Sequence, residues 1–405
     1  MPDISNTTPT TAAGSVLSYQ VKSISQMDIG LLQQLPRTVS GGPARLRFSA
    51  DNGFHATLRE RVEAYFSEHH NARTSANVNM WLKSVFILAS YLACYIFLVW
   101  FAITWWQAVA LSVVLGGLAA LIGFNIQHDG GHHAYSGSLK KNRVVAATLD
   151  LIGASSYLWQ WKHGIYHHGY PNISGHDTDI NVGRVLRLEP HQPFLRHHRW
   201  QHLYIWLLYG IMAPRWQLYD DFREIANGAI GPHRIPRPRG GELALLIGGK
   251  LVFLSMALIV PMFFHPVWVV LLLYGLTSYT LGFLLSITFQ LAHNTALVDF
   301  PRSSADGQIA QSWAEHQIST TADFARKNRV VTWLLGGLNY QVEHHLFPHV
   351  CHVHYPAISP IVAATCHEYG ITFREHSTCL SGLREHYRWL RFLGNKPPNT
   401  LSVTV

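Results

Sequence analysis

Four long apolar runs constrain the fold more than any other feature of this sequence. They cover residues 82–104, 105–126, 243–264 and 267–291. Each run meets the length of roughly 20 residues that an α-helix needs to cross the hydrocarbon of a bilayer. Only a tight turn separates the first run from the second, and the third from the fourth. We therefore predict an all-α integral membrane protein whose four transmembrane helices form two hairpins.

Charged residues are few and predict the orientation of these hairpins. Charged side chains make up only 13% of the chain, and the net charge is +8. Lys and Arg are frequent in residues 127–242, whereas the two hairpin turns carry neither. Because positive loops remain cytoplasmic, we expect both termini and the large polar segments on the cytoplasmic side, at the inner membrane if the protein is bacterial. The basic residues are scattered and match no nucleic-acid-binding motif, so we expect a membrane and not a nucleic acid as partner.

Other segments of the chain give further expectations. We expect a disordered polar N-terminal tail over residues 1–50, one domain over 51–385 and a C-terminal tail over 386–405. The pattern of residues 58–70 predicts an amphipathic helix lying against the body. Residues 203–213 are apolar but too short to span, so they lie in the interface or under the polar site. The proline-rich residues 231–241 are predicted to form a linker.

Two isolated features of the sequence give their own expectations. Lys250 falls inside the third apolar run, where we expect its amine to reach toward the headgroups, although an intramembrane lysine can also be functional. The four cysteines form no CxxC pair, so we expect no disulfide framework and a reducing compartment.

Histidines cluster in three motifs beside the apolar runs. The first motif is HDGGHH from His128, the second is HGIYHH from His163, and the third is QVEHH from Gln341. Residues four apart share one face of a helix, so we predict that His128 pairs with His132 to hold a metal ion from one side, and that His163 pairs with His167 in the same way.

The topology brings these motifs to one membrane face. His128 comes 23 residues after Trp105, which is roughly 35 Å along a helix. His293 follows the fourth run by two residues and lies at the same depth. Three imidazole clusters exceed the four ligands of one zinc ion, and their number suits two first-row metal ions. Imidazole binds iron, copper and zinc, so ligand type alone does not select the metal.

Several neighbouring side chains have more than one interpretation. Gln341 lies three residues before His344, on the same face, where its amide binds a metal, holds a water or only donates a hydrogen bond. His133 points about 100° away from His132, so we place it outside the ligand set, as a residue expected to support the ligating rings from behind. The carboxylates are expected to accept hydrogen bonds from ligating rings, or else to be solvated. They are Asp129, Asp177, Asp179 and Glu343. Other histidines are interpreted as surface or core residues, namely His191, His197, His198, His202, His352, His354 and His386.

Three stretches resemble the membrane fatty acid desaturase family, in particular its front-end branch, which includes linoleoyl-CoA desaturase-like bacterial proteins. They are HDGGHHAYS, SSYLWQWKHGIYHHGYPNISGHDTDI and GGLNYQVEHHLFPHVCHVHYPAISPIV. The resemblance covers roughly residues 50–385 and implies a cytoplasmic helical cap with a non-haem di-iron centre. It assigns no catalytic residue beyond the metal ligands. The implied ligands are His128, His132, His163, His167, His168, His293, Gln341, His344 and His345.

The resemblance also implies the reaction. A saturated C–H bond has no polarity for acid–base catalysis to exploit, so its cleavage needs an oxidant that a cofactor supplies. The family implies O₂-dependent formation of a cis double bond in an acyl-CoA or an acyl lipid. Residues 1–80 lack the HPGG motif of a fused cytochrome b5 domain, so we expect a separate electron donor, a ferredoxin or a cytochrome b5. The alternatives are a hydroxylase of fatty acyl, alkane or sphingolipid chains on the same scaffold and a zinc-dependent membrane hydrolase.

Overall fold

A computed structural model describes residues 46–69 and 73–395 of the chain. Most of the expected N-terminal tail, and residues 396–405 of the expected C-terminal tail, lie outside the described residues. Within the described part the secondary structure is predominantly helical. The strands form three two-stranded sheets, pairing Arg47–Ser49 with Gln308–Ser312, Ala229–Ile230 with His233–Arg234, and Asp323–Phe324 with Glu375–His376.

Four helices are long and apolar enough to cross a membrane, and we number them as spans 1 to 4. They are Val78–Phe101, Trp105–Gly131, Gly241–Met262 and Val267–His293. The prediction of two hairpins is confirmed, since spans 1 and 2 are joined by three residues and spans 3 and 4 by four. Thr104 ends the first turn as an N-cap, with its side chain accepting a hydrogen bond from the backbone of Gln107. Spans 2 and 4 extend beyond the apolar runs, so they carry His128 and His293 within their last turns.

Spans 2 and 4 approach each other closely, and this contact sets the geometry of the polar end. A Cβ atom at Gly116 would lie 2.4 Å from the backbone oxygen of Thr277, so only glycine permits the approach. The spans are not uniform α-helices, because each of the first three contains a π-helical turn. These turns are Phe97–Phe101, Gly123–Gln127 and Ser255–Ile259.

The remaining segments form a cap at the end of the spans that carries His128 and His293. Its α-helices are Phe54–His69, Leu139–Ala146, Thr148–Leu151, Ser156–Trp159, Gln201–Tyr209, Met212–Arg215, Asp221–Asn227, Trp313–Ser319, Arg329–Leu334, Gln341–Leu346, Tyr355–Glu368 and Cys379–Leu393. Its other helical turns are the π-helices Gln160–His167 and Trp216–Asp220 and the 3₁₀-helices Arg196–Trp200 and His352–His354.

The predicted amphipathic helix is present and starts four residues earlier than expected. It runs from Phe54 to His69 and buries Phe54, Leu58, Val62 and Phe66. These side chains pack in one apolar cluster with Ile358 and other residues of the helix Tyr355–Glu368. The predicted linker, residues 231–241, holds one strand of the small antiparallel hairpin and has no helix before Gly241.

The short apolar segment at residues 203–213 packs against span 4. A Cβ atom at Gly210 would lie 2.2 Å from the ring of Tyr279, which shows how close the two elements are. The opposite side of the segment is open, with Leu203 and Leu207 exposed. The segment therefore combines contact with the spans and an outward apolar face.

The last described helix crosses the domain boundary that we expected after residue 385. Cys379–Leu393 is one continuous helix, in which His386, Leu390 and Leu393 are buried. Leu390 packs with Ile205 in an apolar cluster. The structured body therefore includes the described part of the segment expected to be a tail, because its apolar side chains are buried against the cap.

The snorkelling prediction for Lys250 is wrong. Its side chain is buried, and its Nζ lies 2.7 Å from Oδ2 of Asp221. Nζ also donates to the backbone oxygen of Gly153 at 2.7 Å. A carboxylate and backbone carbonyls inside the protein therefore compensate the charge, so the amine does not extend to the headgroups.

Candidate metal centre

All the histidines predicted as ligands converge where spans 2 and 4 enter the cap. Rings from distant parts of the chain come close, with centroids 4.4 Å apart for His128 and His344 and 4.7 Å apart for His167 and His293. The rings of His168 and His345 stack at 4.3 Å. The convergence expected from the membrane topology is therefore present.

The rings divide into two groups with metal-binding geometry. In each group, one ligand atom from every residue lies within 4.8 Å of the others. The first group is His128, His132, His163 and His344. The second group is His167, His293 and His345. His168 lies between them, because it forms a further cluster of the same size with His344 and His345.

The first motif has the local geometry that its spacing predicted. His128 begins the short helix His128–Gly131, which continues span 2, and His132 is its C-cap residue. Their ring centroids are 4.7 Å apart, and both side chains belong to the first group. One helical turn therefore delivers two imidazoles to one position.

The second motif departs from the prediction. His163 belongs to the first group and His167 to the second, so the structure does not bring this pair into one group. The physical reason is local, since Gln160–His167 is a π-helix, whose hydrogen bonds span five residues instead of four. The five-residue spacing brings Nε2 of His163 within 3.3 Å of Nε2 of His168.

The third motif lies on the helix Gln341–Leu346, which is buried throughout. His344 and His345 are adjacent in the chain and therefore point in different directions, one into each group. Nε2 of Gln341 lies 3.0 Å from Nε2 of His293, at the second group. In this orientation the amide donates to the ring, and a half-turn of the amide would present its oxygen instead.

Hydrogen bonds to Nδ1 orient several of these rings. His167 Nδ1 lies 3.1 Å from Oδ2 of Asp177, and His345 Nδ1 lies 2.9 Å from Oε1 of Gln317. His293 Nδ1 lies 3.2 Å from the backbone oxygen of Thr320. Because these acceptors receive a hydrogen bond from Nδ1–H, each ring carries its lone pair on Nε2. That atom has no partner among the described residues at His167 and His345, whereas at His293 it accepts from the amide of Gln341.

The other ring nitrogens show that the site suits a metal. Several Nε2 atoms are buried and have no hydrogen-bond partner within the described ranges. They belong to His128, His132, His167, His344 and His345. Buried polar atoms are otherwise almost always paired, so this concentration of unpaired acceptors matches a centre whose ligands are imidazoles.

Protonation supports the same interpretation. Burial, followed by repulsion from neighbouring histidines, holds the pKa of His132 and His344 well below 6.5. The same causes lower the pKa of His163, His168 and His345. These rings are therefore neutral at physiological pH, which is the form that binds metal ions. For His167, burial lowers the pKa, but the charge and hydrogen bond of Asp177 outweigh it and the net pKa is raised.

The predicted acceptor carboxylates have different positions. Asp177 contacts a ring, whereas Oδ2 of Asp179 is 3.8 Å from His167 Nδ1. Oδ2 of Asp129 accepts from Nδ1 of His352 at 2.8 Å and from Sγ of Cys351 at 2.9 Å. Asp129 therefore ties span 2 to the segment after the third motif and is not bonded to a ring of either group.

Glu343 and His133 also lie away from the ligand atoms. Glu343 is buried beside Asp323, and burial raises the pKa of both carboxyl groups. His133 has a positive φ of 60°, and its backbone oxygen accepts a hydrogen bond from Asn142. It belongs to neither group, as expected from its direction on the helix.

Aromatic side chains that were not among the predicted site residues pack against the rings of the centre. The ring of Trp159 is 5.0 Å from that of His132 and 4.7 Å from that of His163. On the other side, Phe289 is 4.9 Å from His167 and 4.6 Å from His293. Each aromatic precedes a histidine by four residues, so helical spacing was an available signal. Gln317 and Thr320 gave no such signal, because only the tertiary structure brings them to the rings.

Comparison with known proteins identifies the family. Residues 103–377 match the family model described as fatty acid desaturase. The chain is 35% identical over 356 residues to an sn-1 linoleoyl-lipid 6-desaturase of Arthrospira platensis, covering 87% of this chain and 96% of the relative. It is 36% identical over 349 residues to an acyl-lipid (8-3)-desaturase of Physcomitrium patens, covering 84% and 72%. The chain therefore belongs to the fatty acid desaturase family, and it is an oxidoreductase that desaturates fatty acyl chains.

Proposed function

We propose that the protein is an acyl-lipid desaturase that uses O₂ and a pair of iron ions to introduce a cis double bond near the carboxyl end of an acyl chain. The names of the relatives support a lipid-linked substrate in preference to acyl-CoA. The chain itself supports two ions, since the first and second groups share no residue and each can hold one ion. This separation is the observation that carries the proposal.

The ligand assignment follows from the groups. His128, His132, His163 and His344 would hold one iron, and His167, His293 and His345 the other, with His168 between them. Gln341 would complete the second position, through its oxygen or through a hydrogen bond to His293. When bound, the iron pair supplies with O₂ the oxidising power that cleavage of unactivated C–H bonds requires.

The chain's own residues position the reaction. Asp177, Gln317 and Thr320 fix ring orientations, and such partners raise the basicity of ligating imidazoles. Trp159 and Phe289 keep water from the faces of the rings they cover. The remaining task is to hold one carbon pair of the acyl chain beside the centre, because near-attack positioning sets which bond becomes unsaturated.

Orientation and electron supply form part of the proposal. The basic residues of the cap support a cytoplasmic location for the metal centre. Two electrons per turnover must then reach the centre from a soluble donor on that side, a ferredoxin or a cytochrome b5. The basic cap would favour an acidic donor, because complementary charge accelerates encounter.

Product analysis tests the reaction type. The protein is expressed in a host that is fed defined saturated and unsaturated fatty acids, and methyl esters are analysed by gas chromatography with mass detection. A desaturase gives products lighter by two hydrogens, whereas the rival hydroxylase on the same scaffold adds one oxygen. His167→Ala should abolish the product. The matched control is His197→Ala, whose ring contacts the backbone oxygen of Arg184 outside both groups.

Metal analysis tests the centre. The purified protein should contain two irons per chain, and His167→Ala should lose iron while His197→Ala keeps it. If the purified protein contained zinc in place of iron and hydrolysed its substrate, the result would support the membrane hydrolase and overturn the proposal. A zinc ion has no redox chemistry, so it cannot supply the oxidation.

A further inference from the structure

A cavity of about 620 Å³ lies among the four spans, on the side away from the histidines. Its wall is apolar and includes Leu98, Leu115, Ala257 and Leu273, one residue from each span. Thr104 lines the end at the hairpin turns. A volume of this size falls within the roughly 300–1,000 Å³ of small-molecule pockets.

Two π-helical turns contribute to the wall and are stabilised across it. They are Phe97–Phe101 in span 1 and Ser255–Ile259 in span 3. The hydroxyl of Tyr95 donates to the backbone oxygen of Met256 at 2.8 Å, and Nε2 of His265 donates to that of Val99 at 2.6 Å. An unpaired carbonyl in hydrocarbon costs several kcal/mol, so these bonds compensate the widened turns. Such turns are rare and concentrate at functional sites, which indicates a built cavity and not a packing gap.

Polar contacts line the end of the cavity that faces the cap. The hydroxyl of Tyr274 donates to Oε1 of Gln217 at 2.9 Å, and Nε2 of Gln217 donates to the backbone oxygen of Ile152 at 2.9 Å. Within the described ranges, no histidine of either metal-binding group lines the cavity. Ala119, a wall residue of span 2, precedes His128 by nine residues, or about 14 Å of helix.

The cavity is open toward the surrounding bilayer. Several lining residues of the spans are partly or largely exposed, among them Leu92 at 53%, Ile103 at 86%, Val252 at 50% and Met256 at 38%. The rings of Trp105 and Trp268 stack at 5.6 Å beside the hairpin turns, at the level where aromatic side chains mark the membrane–water interface. A lipid of that leaflet therefore has its headgroup level with the turns and its chains level with the opening.

We propose that this cavity binds one acyl chain of a diacyl lipid from the leaflet that holds the hairpin turns, as a resident lipid distinct from the substrate. An apolar space of this size does not hold ordered water, and protein interiors rarely contain voids so large. The adjacent bilayer supplies hydrocarbon to fill it. A substrate chain must reach the metal centre, and within the described part of the chain no histidine of either metal-binding group lines the cavity.

A photo-crosslinking experiment tests this site. The full-length protein is reconstituted in phosphatidylcholine vesicles that contain a phosphatidylcholine probe with a diazirine in the middle of one acyl chain. After illumination, labelled peptides are mapped by mass spectrometry. Label is expected on the two π-helical turns. Ala108→Trp, in the wall, should remove most of it. Ala110→Trp, exposed on the same span, should retain it.

A second variant and a product analysis make the outcome decisive. Ala257→Phe fills the cavity from span 3 and is independent of Ala108→Trp in span 2. Each variant must elute as a monodisperse protein in size-exclusion chromatography, so that misfolding of one of them does not decide the result. Label that is absent from the wild-type wall, or unchanged in both filled variants, overturns the proposal. A shorter preferred substrate chain in Ala108→Trp, but not in Ala110→Trp, would show that the substrate occupies the cavity and also overturns it. Crosslinking requires no turnover, so its result is independent of the desaturation assays.

Discussion

Oδ2 of Asp177 lies 3.1 Å from Nδ1 of His167 and also accepts the backbone N–H of Asn172 at 2.9 Å. The carboxylate is fully enclosed and is held by the loop that follows the second histidine motif. It therefore fixes the direction in which His167 presents Nε2 to the second group. It also places a negative charge beside an otherwise neutral set of rings.

Asp177→Asn should weaken metal binding by about 10- to 100-fold, the usual effect of losing a partner of a ligating histidine. The amide loses the charge that raises the pKa of His167 and that favours its N–H as donor. Iron retained after dialysis against a graded chelator series measures the effect. Asp179→Asn is the control, because its oxygen is 3.8 Å away, and it should retain more iron. Equal retention by both variants and the wild type would contradict this role.

Gly131→Ala should disturb the first group. A Cβ at this position would lie 2.2 Å from the ring of Trp159, which packs against His132 and His163. Overpacking of this kind costs about 1–3 kcal/mol, and here it also displaces a wall of the metal centre. We expect a lower melting temperature and less than the wild-type iron content. Gly137→Ala is the matched control, since nothing lies within 4 Å of the added carbon.

Lys250→Met should lower the melting temperature strongly. The substitution leaves Asp221 buried without its cation, and breaking a buried pair from one side costs about 3–5 kcal/mol. Lys250→Met combined with Asp221→Asn should recover part of the loss, because the uncompensated charge is removed. Thermal denaturation in detergent measures both. If Lys250→Met had the same melting temperature as the wild type, the pair of Lys250 and Asp221 would contribute no stability.

Acidification should destabilise the metal-free protein below pH 6.5. Burial and neighbouring rings depress the pKa of His132, His163, His168, His344 and His345 in the folded state. Below pH 6.5 the unfolded chain binds protons that the folded chain does not, so stability falls with pH by about 1.4 kcal/mol per pH unit for each such proton. Above pH 6.5 these rings are neutral in both states and contribute no slope.

Melting temperatures of chelator-treated protein between pH 8 and pH 5 test whether stability falls on acidification. His345→Gln should make the acid slope shallower, because one depressed imidazole is removed. A melting temperature that rises on acidification would contradict the neutral state of these rings. Adding iron should oppose the loss at mild acidity, since a metal ion that binds only the folded chain stabilises it.

Local sequence patterns predicted much of this protein. They did not predict the site where the backbone departs from a regular α-helix. The turn His128 to His132 behaved as its four-residue spacing predicted. At His163 and His167 the same spacing does not bring the two rings into one group, because a π-helix changes which residues lie on the same side. Residue spacing alone does not reveal a π-helix. Asp129 was expected at a ligating ring but bonds to His352, a partner more than 200 residues away in the chain.

The sequence by itself determined the four spans, their two hairpins and the end of the spans at which the histidines meet. Run length, residue spacing and charge distribution are local properties, and they can be evaluated without knowing contacts. Only the tertiary structure decided how the rings divide into two groups, which acceptors orient them and where Lys250 is neutralised. Those outcomes depend on side chains that are distant in the chain and adjacent in space, and no local pattern encodes their distances.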